Sequence, residues 1–323
     1  MDNDLNKDLI YNMASMIFNY YKQFEDKIFI STVVKEIKEY LEENNISHPI
    51  NKIIENVELP IIKLDEYQEI FNEYKFKYYD GDFKYFHYKQ IFDLTPNQIT
   101  RLQKEFQILK KTISLNKEAS IFFCVQKNNI NKIKFMISGP KNTPYEYGLF
   151  IFDMTTNTNF PSAPPLVHLS NNGNVRFNPN LYNCGKVCLS LLGTWRGDKS
   201  EMWNINTSTF NQLIISIQSQ ILVDEPYFNE PSFETTIGTQ TGIQESKLYN
   251  YNIRQYTLIH AMSNLIESKN YPEFHDVIIK YFKYQKLNIF KTLDFWLDEM
   301  PNTETKNNFK LHYDKFINLV DNL

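Results

Sequence analysis

An α+β fold is predicted: one helix, a four-stranded antiparallel meander, a long ordered loop and a crossover helix, flanked by helical N- and C-terminal regions. Three observations carry this reading. A helix-start signal stands at Thr95, short β-rich runs follow it with no helix between them, and helical periodicity resumes only near residue 209 and again after 245. Strands that are grouped, instead of alternating with helices, indicate α+β over α/β.

Residues 9–44 have helical periodicity, with Ile10, Met13, Met16, Ile17 and Tyr20 at helix spacing, then Val33, Ile37, Tyr40 and Leu41. A polar, acidic stretch follows over about 42–82, with turn signals at His48-Pro49, Leu59-Pro60 and Asp80-Gly81 that place a domain boundary within 60–92. Thr95-Pro96-Asn97-Gln98 combines a capping threonine, a proline suited to the first helical position and a glutamine that completes a capping box. Ile99, Leu102, Phe106 and Leu109 then fall on one face of a helix over 96–115, with Arg101, Lys104, Lys110 and Lys111 mostly on the other. Strands are expected at Ser120–Gln126, Lys132–Ser138, Gly148–Met154 and Pro165–Ser170. The loop over 171–207 is long enough to be either functional or disordered. Trp195, Trp203 and the apolar Val187–Leu192 run argue that it is ordered. Thr209-x-x-Gln212 opens the crossover helix, and helices over 245–268, 272–298 and 303–322 are punctuated by Pro272 and Pro301.

A net charge of −4 argues against nucleic acid or an anionic membrane as the main partner. No apolar run approaches the roughly 18 residues that span a bilayer. Met1 to Asp8 lacks the basic-then-apolar order of a secretory signal. The cysteines Cys124, Cys184 and Cys188 are too few for a disulfide framework, so a reducing compartment, cytoplasm or nucleus, is expected.

Cys188 lies between Gly185-Lys186-Val187 and Leu189-Ser190-Leu191-Leu192. A thiol on the rim of an ordered loop is a plausible covalent carrier, because cysteine is strongly nucleophilic even when only a few per cent ionised. By itself, a lone cysteine is more often a small buried apolar residue than a catalytic one. The histidines His48, His87, His168, His260, His275 and His312 are scattered and form no cysteine-protease signature, and Cys184-x-x-x-Cys188 lacks partners at metal spacing. His168 falls in an expected strand and reads as a core or face residue.

Further motifs stand in a fixed order. Gly139-Pro140-x-x-Thr143-Pro144-Tyr145 precedes Gly148-x-Phe150. Phe160-Pro161-x-x-Pro164-Pro165-x-Val167 and Asn178-Pro179-Asn180 follow. Gly185–Ser190, Trp203 and Ser216–Ser219 complete the series. In order and spacing they resemble the catalytic core of ubiquitin-conjugating enzymes. Arg176–Asn183, Thr194-Trp195 with the insertion Arg196–Met202, and Glu225–Pro231 resemble more narrowly the giant conjugating enzymes of the BRUCE/Apollon type, a similarity that runs over roughly 90–297. There is no Cys/His pattern of an inhibitor-of-apoptosis repeat.

The resemblance implies a core over 91–240, a mostly helical region of unassigned role over 1–90 and a C-terminal helical extension over 241–323. It implies that Cys188 accepts ubiquitin, or a ubiquitin-like modifier, from an activating enzyme as a thioester, then yields it to a lysine amine of a substrate protein or to a ligase. No cofactor is implied, since ATP is used by the separate activating enzyme. Asn180 matches the family's asparagine, linked either to the oxyanion or to bracing the loop. Asn178 replaces the family's histidine, a mainly structural residue. Glu230 is the nearest match to an acid that orients the incoming amine, or else a solvated surface acid. Arg101, Lys104, Lys110 and Lys111 match the face that docks the activating enzyme, or else form a solvated charged face. Ser162 stands where the family carries a bulky apolar residue, which counts against contact with an ordinary ring-type ligase. The alternative function is a catalytically inactive ubiquitin-binding variant or adaptor of the same fold.

Overall fold

The computed structural model describes residues 65–323, so the helical periodicity over 9–44 lies outside the described residues. Helix α1 (Glu66–Phe71) leads into strand β1 (Phe76–Tyr79), and helix α2 (Pro96–Thr112) precedes β2 (Ile121–Gln126), β3 (Ile133–Ser138), β4 (Leu149–Thr155) and β5 (Leu166–Leu169). After the long loop come α3 (Phe210–Ser216), α4 (Gln240–Tyr256), α5 (Asn264–Ser268), α6 (His275–Glu299) and α7 (Thr303–Asp321). A π-helical stretch, Thr257–Ser263, joins α4 to α5, so the helix expected over 245–268 is continuous in path but wider in its middle. It also starts earlier, because Thr239 Oγ1 accepts the Gly242 N–H at 3.0 Å and caps the first turn.

Both capping boxes form. Thr95 and Gln98 exchange bonds at the start of α2, and Thr209 and Gln212 do the same at the start of α3. Gln98 also replaces Ile99 as an inward residue of α2. Its amide reaches the Phe160 carbonyl at 3.0 Å, whereas Ile99 is 36% exposed.

Strands β2 to β5 make the expected antiparallel meander, and β1 adds a fifth strand at the edge, parallel to β2. In register, Phe76, Phe123, Phe135, Phe152 and Leu169 form one row across all five strands. This row faces α2 and α3 and shares their core with Leu102, Phe106, Leu213 and Ile214. Complete burial of a phenylalanine is worth roughly 1.5–3 kcal/mol, so this row anchors the sheet to those helices.

The opposite face of the sheet is covered as well. Phe122, Met136, Leu149 and Ile151 pack with Tyr67 and Phe71 of α1 and with Leu258, Met262, Tyr281 and Phe282 of the C-terminal helices. Strands buried on both sides need continuous apolar runs, which is what Ile121-Phe122-Phe123-Cys124-Val125 supplies. Glu66–Leu323 is accordingly one compact unit that runs across the boundaries expected near 90 and 240.

Within that second face lies a polar row, Lys77, Cys124, Lys134, Asp153 and His168 in register, buried at Cys124, Lys134 and Asp153 and half-buried at its two ends. Lys134 Nζ sits 2.5 Å from Asp153 and 3.7 Å from Glu273, with the rings of Phe83, Phe86 and Tyr271 between 5.1 and 5.8 Å away. The His87 N–H donates to the other Asp153 oxygen at 2.7 Å. No helix among the described residues is long and apolar enough to cross a membrane.

Candidate active site

Asn171 and Asn172 fasten the start of the long loop. The Asn171 side chain accepts from the Ile151 N–H and donates to the Leu149 carbonyl, both at 2.8 Å, so it continues the sheet's bonding after the strand ends. The Asn172 amide donates to the Asn183 carbonyl at 2.5 Å. The chain then folds back on itself through bridges Asn178–Leu181 and Leu181–Val187 and a tight turn at Tyr182–Lys186. Gly185 in that turn has φ +82°, and a side chain there would collide with His168, so two constraints select glycine.

This fold-back sets Asn180 against Cys188. The Cys188 N–H donates to the Asn180 carbonyl at 2.8 Å, and Asn180 Nδ2 donates to the Cys188 carbonyl at 2.9 Å. On the other side of the cysteine, Thr194 Oγ1 accepts from the Leu189 N–H at 3.0 Å and donates to the Val187 carbonyl at 2.8 Å. Sequence reading quoted Thr194 as part of a motif but gave it no role at the site. Its position right before Trp195, six residues after Cys188, was the only signal.

Cys188 is only 2% exposed and Asn180 9%, so the thiol lies in the floor of the loop and not on its rim as expected. Among the cysteines, Cys184 is exposed and Cys124 is buried, its thiol pushed up to about 12 chiefly by burial. His168 is no general base for Cys188. Its Nε2 pairs with the Cys184 carbonyl at 2.9 Å and its ring stacks on His87 at 3.6 Å, while burial lowers its affinity for a proton.

Asn178 is the buried centre of the assembly. Its amide donates to the Ile221 carbonyl at 2.7 Å and to the Tyr145 hydroxyl at 3.1 Å, and its Oδ1 accepts from the Asn180 N–H at 2.8 Å and from Asn229 at 3.3 Å. The structural role expected at this position therefore falls to an amide that joins the loop, the end of the crossover helix and the 225–231 segment.

Glu230 lies beside this cluster but does not stand free. Arg176 Nη2 donates to Glu230 Oε2 at 3.0 Å and to the Pro179 carbonyl at 2.8 Å, and its guanidinium lies 4.8 Å over the Tyr182 ring. Sequence reading placed Arg176 only at the start of a motif and gave it no role; that a cation two residues before Asn178 pairs with Glu230 carries no signal without the fold.

The expected docking face on α2 divides. Arg101 is turned inward: its guanidinium bonds Glu105 at 2.7 Å and the carbonyls of Ile205 and Ser208 at 2.7 and 2.6 Å. Glu105 is fully buried and in turn accepts the Phe210 N–H at 2.8 Å, so this pair locks α2 to α3. Lys104 and Lys111 are exposed, and Lys110 lies 5.0 and 5.1 Å over the rings of Phe76 and Tyr78. Arg101 is thus part of the fold, and the other three lysines make the accessible basic face. Among the described residues, no group of three or more His, Cys, Asp or Glu could hold a metal ion.

A helix, a four-stranded meander and a loop that returns an asparagine to a cysteine define a conjugating-enzyme core. Residues 101–257 match the family profile described as "Ubiquitin-conjugating enzyme", and the domain belongs to that family. The chain is 44% identical over 202 residues to the dual E2 ubiquitin-conjugating enzyme/E3 ubiquitin-protein ligase BIRC6 of Homo sapiens, covering 62% of this chain and 4% of that protein. It is 33% identical over 324 residues to the probable ubiquitin-conjugating enzyme E2 R521 of Acanthamoeba polyphaga mimivirus, covering 98% of this chain and 21% of that protein. It is 42% identical over 204 residues to the probable ubiquitin-conjugating enzyme protein 17 of Caenorhabditis elegans, covering 62% of this chain and 28% of that protein. The chain therefore spans less than a third of the length of each of these three relatives.

Proposed function

We propose that this chain carries ubiquitin, or a ubiquitin-like modifier, as a thioester on Cys188 and passes it to a lysine amine or to a ligase. The Cys188 thiolate attacks the thioester carbonyl that an activating enzyme presents, a tetrahedral intermediate forms, and the activating enzyme's thiolate leaves. In the second step a neutral amine attacks the new thioester, loses a proton and expels the Cys188 thiolate, leaving an amide. The chain needs no cofactor of its own for either step, since the energy of ATP enters at the activating enzyme. Lys104, Lys110 and Lys111 form the docking face for that enzyme, and the setting is cytoplasm or nucleus.

The observation that supports this reading most directly is the reciprocal pair of bonds between Asn180 and Cys188. Those bonds hold the thiol beside an amide whose second N–H can meet a developing oxyanion. Losing such a donor typically costs about 2.7–4 kcal/mol of transition-state stabilisation. One observation favours the rival, a modifier-binding variant without catalysis: Cys188 is 2% exposed, so its sulfur must be uncovered before a polypeptide terminus reaches it.

Incubation with activating enzyme, ATP and ubiquitin separates the two readings. A reductant-labile adduct that forms on the wild type and is absent from Cys188→Ala supports the carrier. An uncharged wild type across several activating enzymes and modifiers supports the binding variant. An adduct lost in Cys184→Ala but kept in Cys188→Ala moves the site to the exposed cysteine.

A further inference from the structure

Glu230 forms the ridge between two cavities. On one side is an open groove of about 980 Å³ whose wall includes Thr194, the residue that bonds the backbone on both sides of Cys188. On the other side is a small cavity of about 200 Å³ between the 226–233 turn segment and α4. Pro179, one residue from Asn180, lines this smaller cavity too, which places it next to the thioester loop.

The chemistry of the smaller cavity is specific. Four aromatic rings line it: Tyr227, Phe233, Tyr249 and Tyr256. They are set at angles to one another and not stacked flat: Tyr227 meets Phe233 at 4.7 Å and 37° and Tyr249 at 6.1 Å and 61°. An aromatic face carries negative potential, so a lining this rich in rings offers attraction to a cation and has little to offer an anion. Burial pushes the Tyr249 phenol up to about 12, so it stays neutral at physiological pH. Glu230 adds a carboxylate at the edge, and only its Oε2 is held by Arg176. Arg176 also lines the cavity, paired with Glu230 and stacked on Tyr182, so the ion pair leaves the lining without net charge and the attraction falls to the rings and the second Glu230 oxygen. At about 200 Å³ the space is smaller than the roughly 300–1,000 Å³ of an ordinary small-molecule pocket and suits one long side chain.

We propose that this aromatic cavity is a recognition subsite for a lysine or arginine side chain of the acceptor protein, seated across the Glu230 ridge from the thioester at Cys188. The inference rests on the carrier function proposed above. It makes Tyr227 and Tyr249 specificity-determining residues, and it selects acceptors that carry a second cationic residue near the target lysine.

The test is discharge of the ubiquitin-loaded protein onto peptides with one acceptor lysine and an arginine at each nearby position in turn, against the same peptides with neutral citrulline. At one spacing, arginine is expected to speed discharge by roughly three- to tenfold, the range a partly desolvated cation–π contact gives. Tyr249→Leu on α4 and Tyr227→Leu on the turn segment each bring the ratio towards one; having two variants on different elements guards against one of them failing to fold. No advantage of arginine at any spacing, or an advantage kept in both variants, overturns the subsite. If Cys188 does not load at all, the carrier function fails separately, and titration of butylguanidinium against neutral butylurea into the uncharged protein decides the cavity. Saturable shifts of the Tyr227 and Tyr249 ring resonances with the guanidinium alone uphold it, and equal or absent responses reject it.

Discussion

Asn178 Oδ1 accepts the backbone N–H of Asn180 at 2.8 Å, so one buried asparagine aims the other, which faces Cys188. The same oxygen takes the Asn229 amide at 3.3 Å, and Asn178 Nδ2 reaches the Ile221 carbonyl and the Tyr145 hydroxyl. One fully buried side chain thus couples the loop that carries Cys188, the crossover helix and the segment that carries Glu230. Position of the reacting groups and stability of the fold are joined at this point.

Asn178→Ala therefore damages the whole assembly. It leaves the Asn180 N–H and the Ile221 carbonyl without partners in a buried setting, where each unsatisfied group costs about 1–3 kcal/mol. The expected loss, measured by urea unfolding, is roughly 2–4 kcal/mol. A change within ±0.5 kcal/mol, typical of a plain surface substitution, would show that water replaces these bonds at no cost.

Asn180→Ala acts on the reaction more than on the fold. Its amide spends one N–H on the Cys188 carbonyl and keeps a second. Loading should proceed at close to the wild-type rate, while single-turnover discharge to free lysine falls by about a hundredfold or more if the second N–H meets the oxyanion. Slow loading together with slow discharge would instead mark Asn180 as a brace for the loop.

Arg101 separates from its lysine neighbours in the same kind of experiment. Breaking a buried ion pair by removing one partner costs about 3–5 kcal/mol, and the partial exposure of Arg101 reduces that to roughly 2–3 kcal/mol for Arg101→Ala. Lys104→Ala, Lys110→Ala and Lys111→Ala combined should leave the melting temperature nearly unchanged and raise the KM for the activating enzyme by about tenfold. If the triple variant charges with wild-type KM, the docking face lies elsewhere.

Much of the architecture was legible because its signals are local. The Thr95–Gln98 and Thr209–Gln212 boxes each need only four consecutive residues, and both helices begin at them. The meander was legible from four apolar runs separated by turns. Strand β1 was not, since Phe76–Tyr79 has only four residues and pairs parallel to β2, without a hairpin to announce it. Nor was the covering of the second sheet face by the C-terminal helices, because an apolar run does not say which partner it meets. At the site, Cys188 and Asn180 were singled out through the family resemblance, and the fold brings the two together. The Arg176–Glu230 pair spans 54 residues, and the shielding of Cys188 depends on what the loop folds against, so neither leaves a trace in local sequence.

The buried row on the second sheet face predicts how stability changes with pH. Burial pushes the Glu273 carboxyl up to about 7, opposed by Lys134 and reinforced by Asp153. The groups that face it are Lys134 and Asp153 on the sheet, Cys124 and Tyr79 on the neighbouring strands, and Tyr271 two residues before it. Neither carboxylate oxygen has a partner at full hydrogen-bond distance, and Lys134 Nζ at 3.7 Å with the residue's own backbone N–H offsets the burial only in part, so the ionised form is poorly served. A raised carboxyl pKa means that the folded chain holds this proton more tightly than the unfolded one. Its contribution is therefore complete below the unfolded value of about 4.5 and is lost as pH rises through about 7. That loss amounts to roughly 2–3 kcal/mol between about pH 5 and about pH 8. Glu273→Gln keeps the shape, carries no charge and should remove this slope, which makes the variant the more stable protein at the upper pH. Parallel urea curves for wild type and Glu273→Gln at both pH values would mean that Glu273 is ionised and well paired throughout.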